Sequence, residues 1–554
     1  MDKPAGHPRR WQILAVLVTS LLVVVLDNTV LNVAIKTIQE DLGATQNEIV
    51  WAINSYTLVF AALLFTWGVL GDRYGRKKVL VIGLLLFGLA SALSAFASDP
   101  MQLIIARGLM GIGGASVLPV TLAIITVVFP PHERGRAIGL WAAAVGGAVA
   151  IGPLLGGFLL EHFWWGSVFL INVPIVIVGV VGILALVPES KNPNPGRLDP
   201  VGLVLSISGL LLLVYGIQHG GDTQEWFSWD VAGCIVAGVA ILVTFILLER
   251  RSDHPSLDMS LFRIHSFSAS LTTVSLTFAA MTGSLLFLAF YMQLVRGYSP
   301  LQAGAFTLPV AVGQLLAAPR SAKMVERFGA RRVITFGLIL AGLVFVSFVL
   351  LEPQTPAWVL LVTWFFLGFG LGNVIAPSTT RMTLATPPEK SGAGSAVQNT
   401  VRQVSAAIGV AVLSSLVAVV YSNAMSSTAG ISDLPAQLQT PVTDSIGGAY
   451  EATSRAVGAG LLQPEQAAAI QSAAVDSFMR AFHLAALGSA ILIVIALIVL
   501  LLRLPAQPEH AAWGGHAGHA DVDEDLSPDQ FEGETEDGEP VGPPVDTSRA
   551  GEQR

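Results

Sequence analysis

Residues Gly68 to Leu80 read GVLGDRYGRKKVL, a glycine-containing turn with one acid and four cations set between two long apolar runs. Runs of roughly 20 apolar residues are what the hydrocarbon core of a bilayer requires of a helix, and they recur along the whole chain. Composition agrees, because 53% hydrophobic and 12% charged residues cannot cover a soluble protein of 554 residues. Unbroken apolar runs satisfy their backbone groups only as helices, so the expected class is all-α integral membrane.

Apolar runs bounded by charge, Pro or Gly predict fourteen transmembrane helices, near 11–35, 49–70, 79–97, 101–127, 136–160, 165–187, 200–218, 230–248, 267–294, 301–322, 333–351, 357–380, 393–421 and 481–503. With both termini cytoplasmic, the inner loops collect most cations, among them Arg9, Arg10, Arg73, Arg76, Lys77 and Lys78. The outer side keeps only Lys36, Arg296, Arg455 and Arg480. That asymmetry is the positive-inside pattern. The formal charge of −8 arises at one end, where residues 504–554 hold thirteen acids against two arginines. This acidic cytoplasmic tail is too polar to form a core.

The opening turn has an echo. ERFGARRV at 326–333 aligns with DRYGRKKV at 72–79, and PPEKSGA at 387–393 aligns, with one gap, with PPHERGRA at 130–137. The repeat predicts duplicated six-helix bundles at 11–187 and 267–503, after a short N-terminus at 1–10. A linker at 188–266 then carries two extra helices, and an outer loop occupies 422–480, its last third able to form an amphipathic helix that runs into the last span. The second copy of the turn is incomplete, with Ala322 at the Gly68 position and Ala330 at the Arg76 position.

Charges within spans are few. Asp27 is the only carboxylate well inside one, while Arg107 and Arg402 are the intramembrane cations. A charge at the bilayer centre costs about 2.5–3.5 kcal/mol on insertion scales, so it faces the interior or marks a pathway. Asp27 lies about six residues before the outer end of its span and Arg107 about six after the start of its own. At 1.5 Å per residue both sit roughly 9 Å below the same surface. They are placed to pair or compete, as a fixed structural ion pair or as a proton-loading site. Asn28, Asn32, Asn373, Gln398 and Arg402 are candidate cavity residues. Trp364 is another, although each more often serves a neighbouring helix.

The motifs resemble the major facilitator superfamily. GVLGDRYGRKK resembles its loop between helices 2 and 3, G-x-L-x-D-R-x-G-R-K. LDNTVLNVAI (26–35), RGLMGIGGA (107–115) and FLINVPI (169–175) resemble signatures of the fourteen-span drug/proton antiporter branch, EmrB/QacA-like. GGAVAIGPLLGG (146–157) resembles the antiporter motif, with Gly152, Pro153, Gly156 and Gly157 as its packing residues. The resemblance implies the major facilitator fold, proton coupling at Asp27 and Arg107, and a cytoplasmic gate at Gly68, Asp72, Arg73, Gly75, Arg76 and Lys77. Within that turn, Asp72 is expected to favour the N-terminus of the third span.

These readings converge on a proton-coupled multidrug or antibiotic efflux transporter of amphiphilic small molecules, a monomer in the bacterial inner membrane working by alternating access. Export of a lipid or an endogenous metabolite is the alternative within transport, and a sensor or scaffold acting through the acidic tail the alternative from another class. The expected partners are the small-molecule substrate, protons and the lipid bilayer, with no nucleic acid. No nucleotide-binding loop, metal-ligand cluster or catalytic constellation is present, so neither a cofactor, a metal nor an enzymatic activity is expected.

Overall fold

The computed structural model describes residues 6–44, 46–193, 199–223, 225–251, 259–387, 390–428, 431 and 434–504. The acidic tail lies outside these residues. The described chain forms α1 (Arg10–Leu42), α2 (Gln46–Tyr74), α3 (Arg76–Ala95), α4 (Pro100–Gly114), α5 (Val117–Val128), α6 (Pro131–His162), α7 (Ser167–Leu170), α8 (Asn172–Leu186), α9 (Pro200–Thr223) and α10 (Trp229–Glu249). It continues with α11 (His265–Phe290), α12 (Pro300–Ala305), α13 (Leu308–Phe328), α14 (Ala330–Ser347), α15 (Ala357–Ala385), α16 (Ser391–Ser426), α17 (Ala436–Asp444), α18 (Ile446–Gly458) and α19 (Pro464–Arg503). No strand occurs among the described residues. Twelve segments are long and apolar enough to cross a membrane, one of them combining α4 and α5. The helices α6 and α13, which are not among the twelve, pack against each other. Arg320 and Lys323 lie within α13, whereas α6 is as apolar as α2.

The packing repeats. In the first half α1 packs on α6 and α8, α4 on α2 and α3, and α3 on α8. In the second half α11 packs on α16 and α19, α15 on α13 and α14, and α14 on α19. Each set encloses its own apolar core, one built around residues such as Leu17, Phe87, Ile125 and Phe169, the other around Leu338, Phe345, Leu371 and Phe482. The antiparallel pair α9–α10 lies outside both, with α9 against α2 and α16. Valines 236, 239 and 243 of α10 are left exposed. In a membrane protein such surface belongs to lipid.

Glycine sets the closest approaches. A Cβ on Gly113 of α4 would stand 2.5 Å from Gly83 O and from Phe87 N of α3, so these backbones touch directly. Two turns require glycine for another reason. Gly75 (φ +114°) and Gly329 (φ +82°) begin α3 and α14 in a backbone conformation that L side chains rarely adopt. These are the two equivalent glycines of the repeated turn.

Residues 422–480 are largely helical, including the helix expected to run through their last third into the final span. The helix α16 runs on to Ser426, α17 and α18 fold against its end, and α19 is one helix from Pro464 through the last span. Tyr421 Oη donates to Val442 O (3.1 Å) and Gln471 Nε2 to Thr453 Oγ1 (2.9 Å), which ties this cap to the bundle. The helices α17 and α18 were not expected from its many alanines. Several of them, Ala449, Ala452 and Ala456, are buried contacts of α18.

Replacing Gly113 with Val should sharply reduce the folded protein recovered from membranes, because no backbone can yield at that crossing. Quantifying folded protein by size-exclusion fluorescence tests this, and a wild-type yield would contradict it.

Candidate functional site

Asp27 and Arg107 meet. Asp27 Oδ2 accepts from Arg107 Nη1 at 2.5 Å, with Asp27 2% and Arg107 1% exposed. Asp27 Oδ1 accepts from Asn172 Nδ2 (2.9 Å), whose nitrogen also reaches Ser91 Oγ (3.0 Å). Ser91 in turn donates to Phe169 O at 2.8 Å. The guanidinium lies over the Tyr56 ring, 4.4 Å from its centroid, and its Nε donates to Ala52 O at 3.4 Å. The ion pair thus draws on α1, α2, α3, α4 and α8, all within the first half. Removing one partner from such a pair strands a buried charge, a loss of about 3–5 kcal/mol.

The glycines of the GPLLGG stretch brace the same part of α1. A Cβ at Gly152 would collide with Thr29 Oγ1, and one at Gly156 would stand 3.1 Å from Val30 O. Thr29 and Val30 follow Asp27 by two and three residues. Gly157 is half-buried. The side chains of Pro153 and Asn32 lie outside the described residues. Further along α6, a Cβ at Gly146 would collide with Gln314 Oε1 of α13, and one at Gly139 would stand 2.7 Å from Ala318 O. One helix therefore touches both the segment holding Asp27 and the opposite half.

The turn at residues 68–78 joins the halves at one end of the bundle. Asp72 ends α2 and is not at the N-terminus of α3, contrary to the sequence expectation. Its Oδ1 accepts from Gly392 N and its Oδ2 from Ala393 N, both at 2.9 Å, so it binds the first turn of α16 in the other half. Free N–H groups of a first helical turn are where a carboxylate is favoured, and the idea of an anion at a helix start holds with a different helix. Arg76, 1% exposed, clasps the same carboxylate through Nε (2.9 Å) and Nη2 (2.7 Å). A Cβ at Gly68 would stand 2.5 Å from Gly392 O and Ala396 Cβ, so that glycine lets α2 and α16 close.

The N-terminus of α3 has another anion, Glu189, which accepts from Lys77 N (3.0 Å) and Lys78 N (3.3 Å). Lys77 Nζ donates to Leu184 O at 2.9 Å, and Arg73 lies 5.7 Å from the Tyr74 ring centroid. Ser190 O accepts from Arg76 N (2.9 Å) and Asn192 N donates to Asp72 O (2.7 Å), so the segment after α8 crosses beneath the turn. Sequence reasoning missed Glu189, since a loop acid gives no periodic signal. Asn172 was missed as well, although it lies within the quoted motif FLINVPI, where an amide inside an apolar run is the signal that could have found it.

The proposed cavity residues differ in what they meet. Asn28 is half-buried and donates to Val24 O at 3.2 Å. Asn373 donates to Phe369 O at 2.9 Å, while its Oδ1 is buried without a partner. Both amide atoms of Gln398, the indole nitrogen of Trp364 and Nε of Arg402 are likewise buried with no hydrogen-bond partner. Arg402 lies over the Phe278 ring at 5.0 Å.

A fold of two repeated helical halves, with a buried acid–base pair inside one and a charged latch between them, defines a membrane transporter. The Major Facilitator Superfamily model matches residues 17–410, and the chain belongs to that family. The chain is 36% identical to the "Multidrug efflux pump LfrA" of Mycolicibacterium smegmatis over 442 residues, 80% of this chain and 87% of the relative. It is 36% identical to the "Methyl viologen resistance protein SmvA" of Salmonella typhimurium over 486 residues, 87% and 95% of the two chains. The "Puromycin resistance protein pur8" of Streptomyces alboniger is 36% identical over 417 residues, 74% of this chain and 82% of that one. The fold is shared with the crystal structure of the human organic anion transporter MFSD10 (TETRAN), at TM-score 0.56 and 15% identity, covering 89% of this chain and 100% of that one.

Asp72→Asn replaces charge-assisted bonds, typically worth about 1.5–3 kcal/mol each, by weaker ones. Transport should fall at least tenfold with the protein still in the membrane. Gly392→Ala drives a methyl into the Asp72 carboxylate and should fall likewise. Normal transport rates in membrane vesicles for both variants would dissociate the latch from transport.

Proposed function

We propose that this protein is an exporter of amphiphilic small molecules, multidrug or antibiotic in character, driven by proton entry and working by alternating access as a monomer in the bacterial inner membrane. The observation that carries the reading is the Asp27–Arg107 pair, an ionisable contact buried in a span and held by a further polar network. The printed names of the relatives, efflux and resistance proteins, support the same direction. With Asp27 ionised, Arg107 and Asn172 hold it. Proton uptake at the carboxylate removes the charge that Arg107 answers, and α1 is then free to shift against α4. The motif glycines of α6 lie against α1 two residues beyond and reach α13 farther on, which offers a mechanical route from proton to interface. The turn at Asp72 would release α16 as that end opens. Asp27→Asn should reach the membrane and export no ethidium under a proton gradient, and a protonophore should abolish efflux by the wild type. Efflux surviving either treatment would refute coupling at this site.

The same reading includes fourteen crossings of the branch it resembles, with two six-helix halves at 11–187 and 267–503, extra helices in the 188–266 linker, and both termini cytoplasmic. It requires α6 and α13 to span as well, of which α13 is the less apolar, with Arg320 and Lys323 in its sequence. Cysteines replacing His132 and Trp164, at the two ends of α6, should then label from opposite sides of the membrane in a Cys234→Ser background. Labelling from one side would remove α6 from the count.

A further inference from the structure

Arg331 and Arg332 take the positions of Lys77 and Lys78 in the repeated turn and lie in the first turn of α14. A helix N-terminus is the positive end of the dipole, so cations are disfavoured there. In the first half Glu189 offsets this by accepting from Lys77 N and Lys78 N. In the second half neither arginine has an ion pair with a described residue. Arg331 Nη2 donates to Leu501 O of α19 (2.6 Å), and the guanidinium of the exposed Arg332 makes no hydrogen bond with any described residue.

Both arginines line a cleft of about 680 Å³ between α14 and α19, together with Thr335, Phe336, Ile339 and Leu501. The Thr335 hydroxyl is buried in its wall without a partner. Farther along, a Cβ at Gly342 would touch Ile493 Cγ2 at 3.4 Å, so the two helices are in contact beyond the cleft. Arg332, Phe336, Ile339 and Leu343 are spaced i, i+4, i+7 and i+11, which makes them one stripe of α14, and all four are exposed. On α19, Leu501, Ile498 and Val494 form a second exposed stripe at i, i−3 and i−7. The α14 stripe from Arg332 to Leu343 is roughly 16 Å long, about one leaflet of a hydrocarbon core that is about 30 Å thick.

We propose that this cleft binds an anionic phospholipid, its phosphate held by Arg331 and Arg332 and its acyl chains laid along the two apolar stripes. Guanidinium pairs with phosphate oxygens through parallel N–H bonds, and basic pockets between transmembrane helices bind lipid headgroups. Two unneutralised arginines at a positive helix end favour a headgroup with net negative charge over a zwitterionic one. Free phosphate would answer the arginines and leave both stripes uncovered, whereas a lipid covers all three. The lipid phosphate then serves α14 as Glu189 serves α3, so the two copies of the turn are neutralised by different means.

The test is native mass spectrometry of the full chain in detergent, titrated with phosphatidylglycerol or with phosphatidylcholine of the same acyl chains. The wild type should bind phosphatidylglycerol at least fivefold more tightly. Replacing both arginines, Arg331→Gln with Arg332→Gln, should weaken phosphatidylglycerol at least fivefold. Arg250→Gln, which removes an exposed cation at the end of α10, should leave its affinity unchanged. A wild type without the preference, or a smaller loss in the double variant, overturns the inference. An equal loss in Arg250→Gln also overturns it, by showing general attraction to a basic surface. Displacement of the lipid by millimolar inorganic phosphate overturns it as well, since the site would then recognise phosphate alone. If the double variant does not fold, Arg332→Gln decides, with a threefold or greater loss supporting the site and a smaller one overturning it.

Discussion

A charge within hydrocarbon must bring its partner with it, because no water is at hand to solvate it. The Asp27–Arg107 contact is where this constraint acts most strongly. Satisfying it fixes the level of α1 against α4, places Tyr56 of α2 under the guanidinium, and brings the start of α8 close enough for Asn172 to reach the carboxylate. The first half is arranged around one ion pair. The second half, with the same helix packings, contains no counterpart to it among the described residues, and this difference separates the chemical roles of two copies of one architecture.

The two contacts between halves are also unequal. Where α2 meets α16, Gly68 and Gly392 bring backbones together and a carboxylate binds the opposing helix start. Where α13 meets α6, Ala322 takes the position of Gly68, and a Cβ at Gly135 would meet its methyl at an ordinary 3.5 Å. Glu326, in the place of Asp72, is exposed. Duplication supplied the geometry twice, and the charged closure is present once.

Much of this was legible in the sequence because the bilayer writes strong rules. Span length, the cation asymmetry and the repeated turn require no tertiary information, and equal depth counts brought Asp27 to Arg107 before any coordinates. What could not be read was identity of partner across distance. An acid near the start of α3 suggested capping of that helix, yet Asp72 serves α16 and Glu189 serves α3. Both assignments place an anion at a helix N-terminus, and only packing chooses which. The cap at residues 436–458 stayed hidden for a related reason. Alanine-rich surface helices lack the apolar runs that announce a span, so their burial emerges only when they rest on α16 and α19.

Asp72 holds two sets of donors at once, Arg76 from its own half and the amides of Gly392 and Ala393 from the other. Arg76 stands four residues away on the same stretch of chain, so the carboxylate would keep a partner if α16 withdrew as the proposed function requires. The amides that such a movement would free could turn to water at the membrane edge. Both ends of the proposed movement would then be electrostatically complete, and a fastening of this kind would favour rapid, reversible cycling over a deep trap in either position.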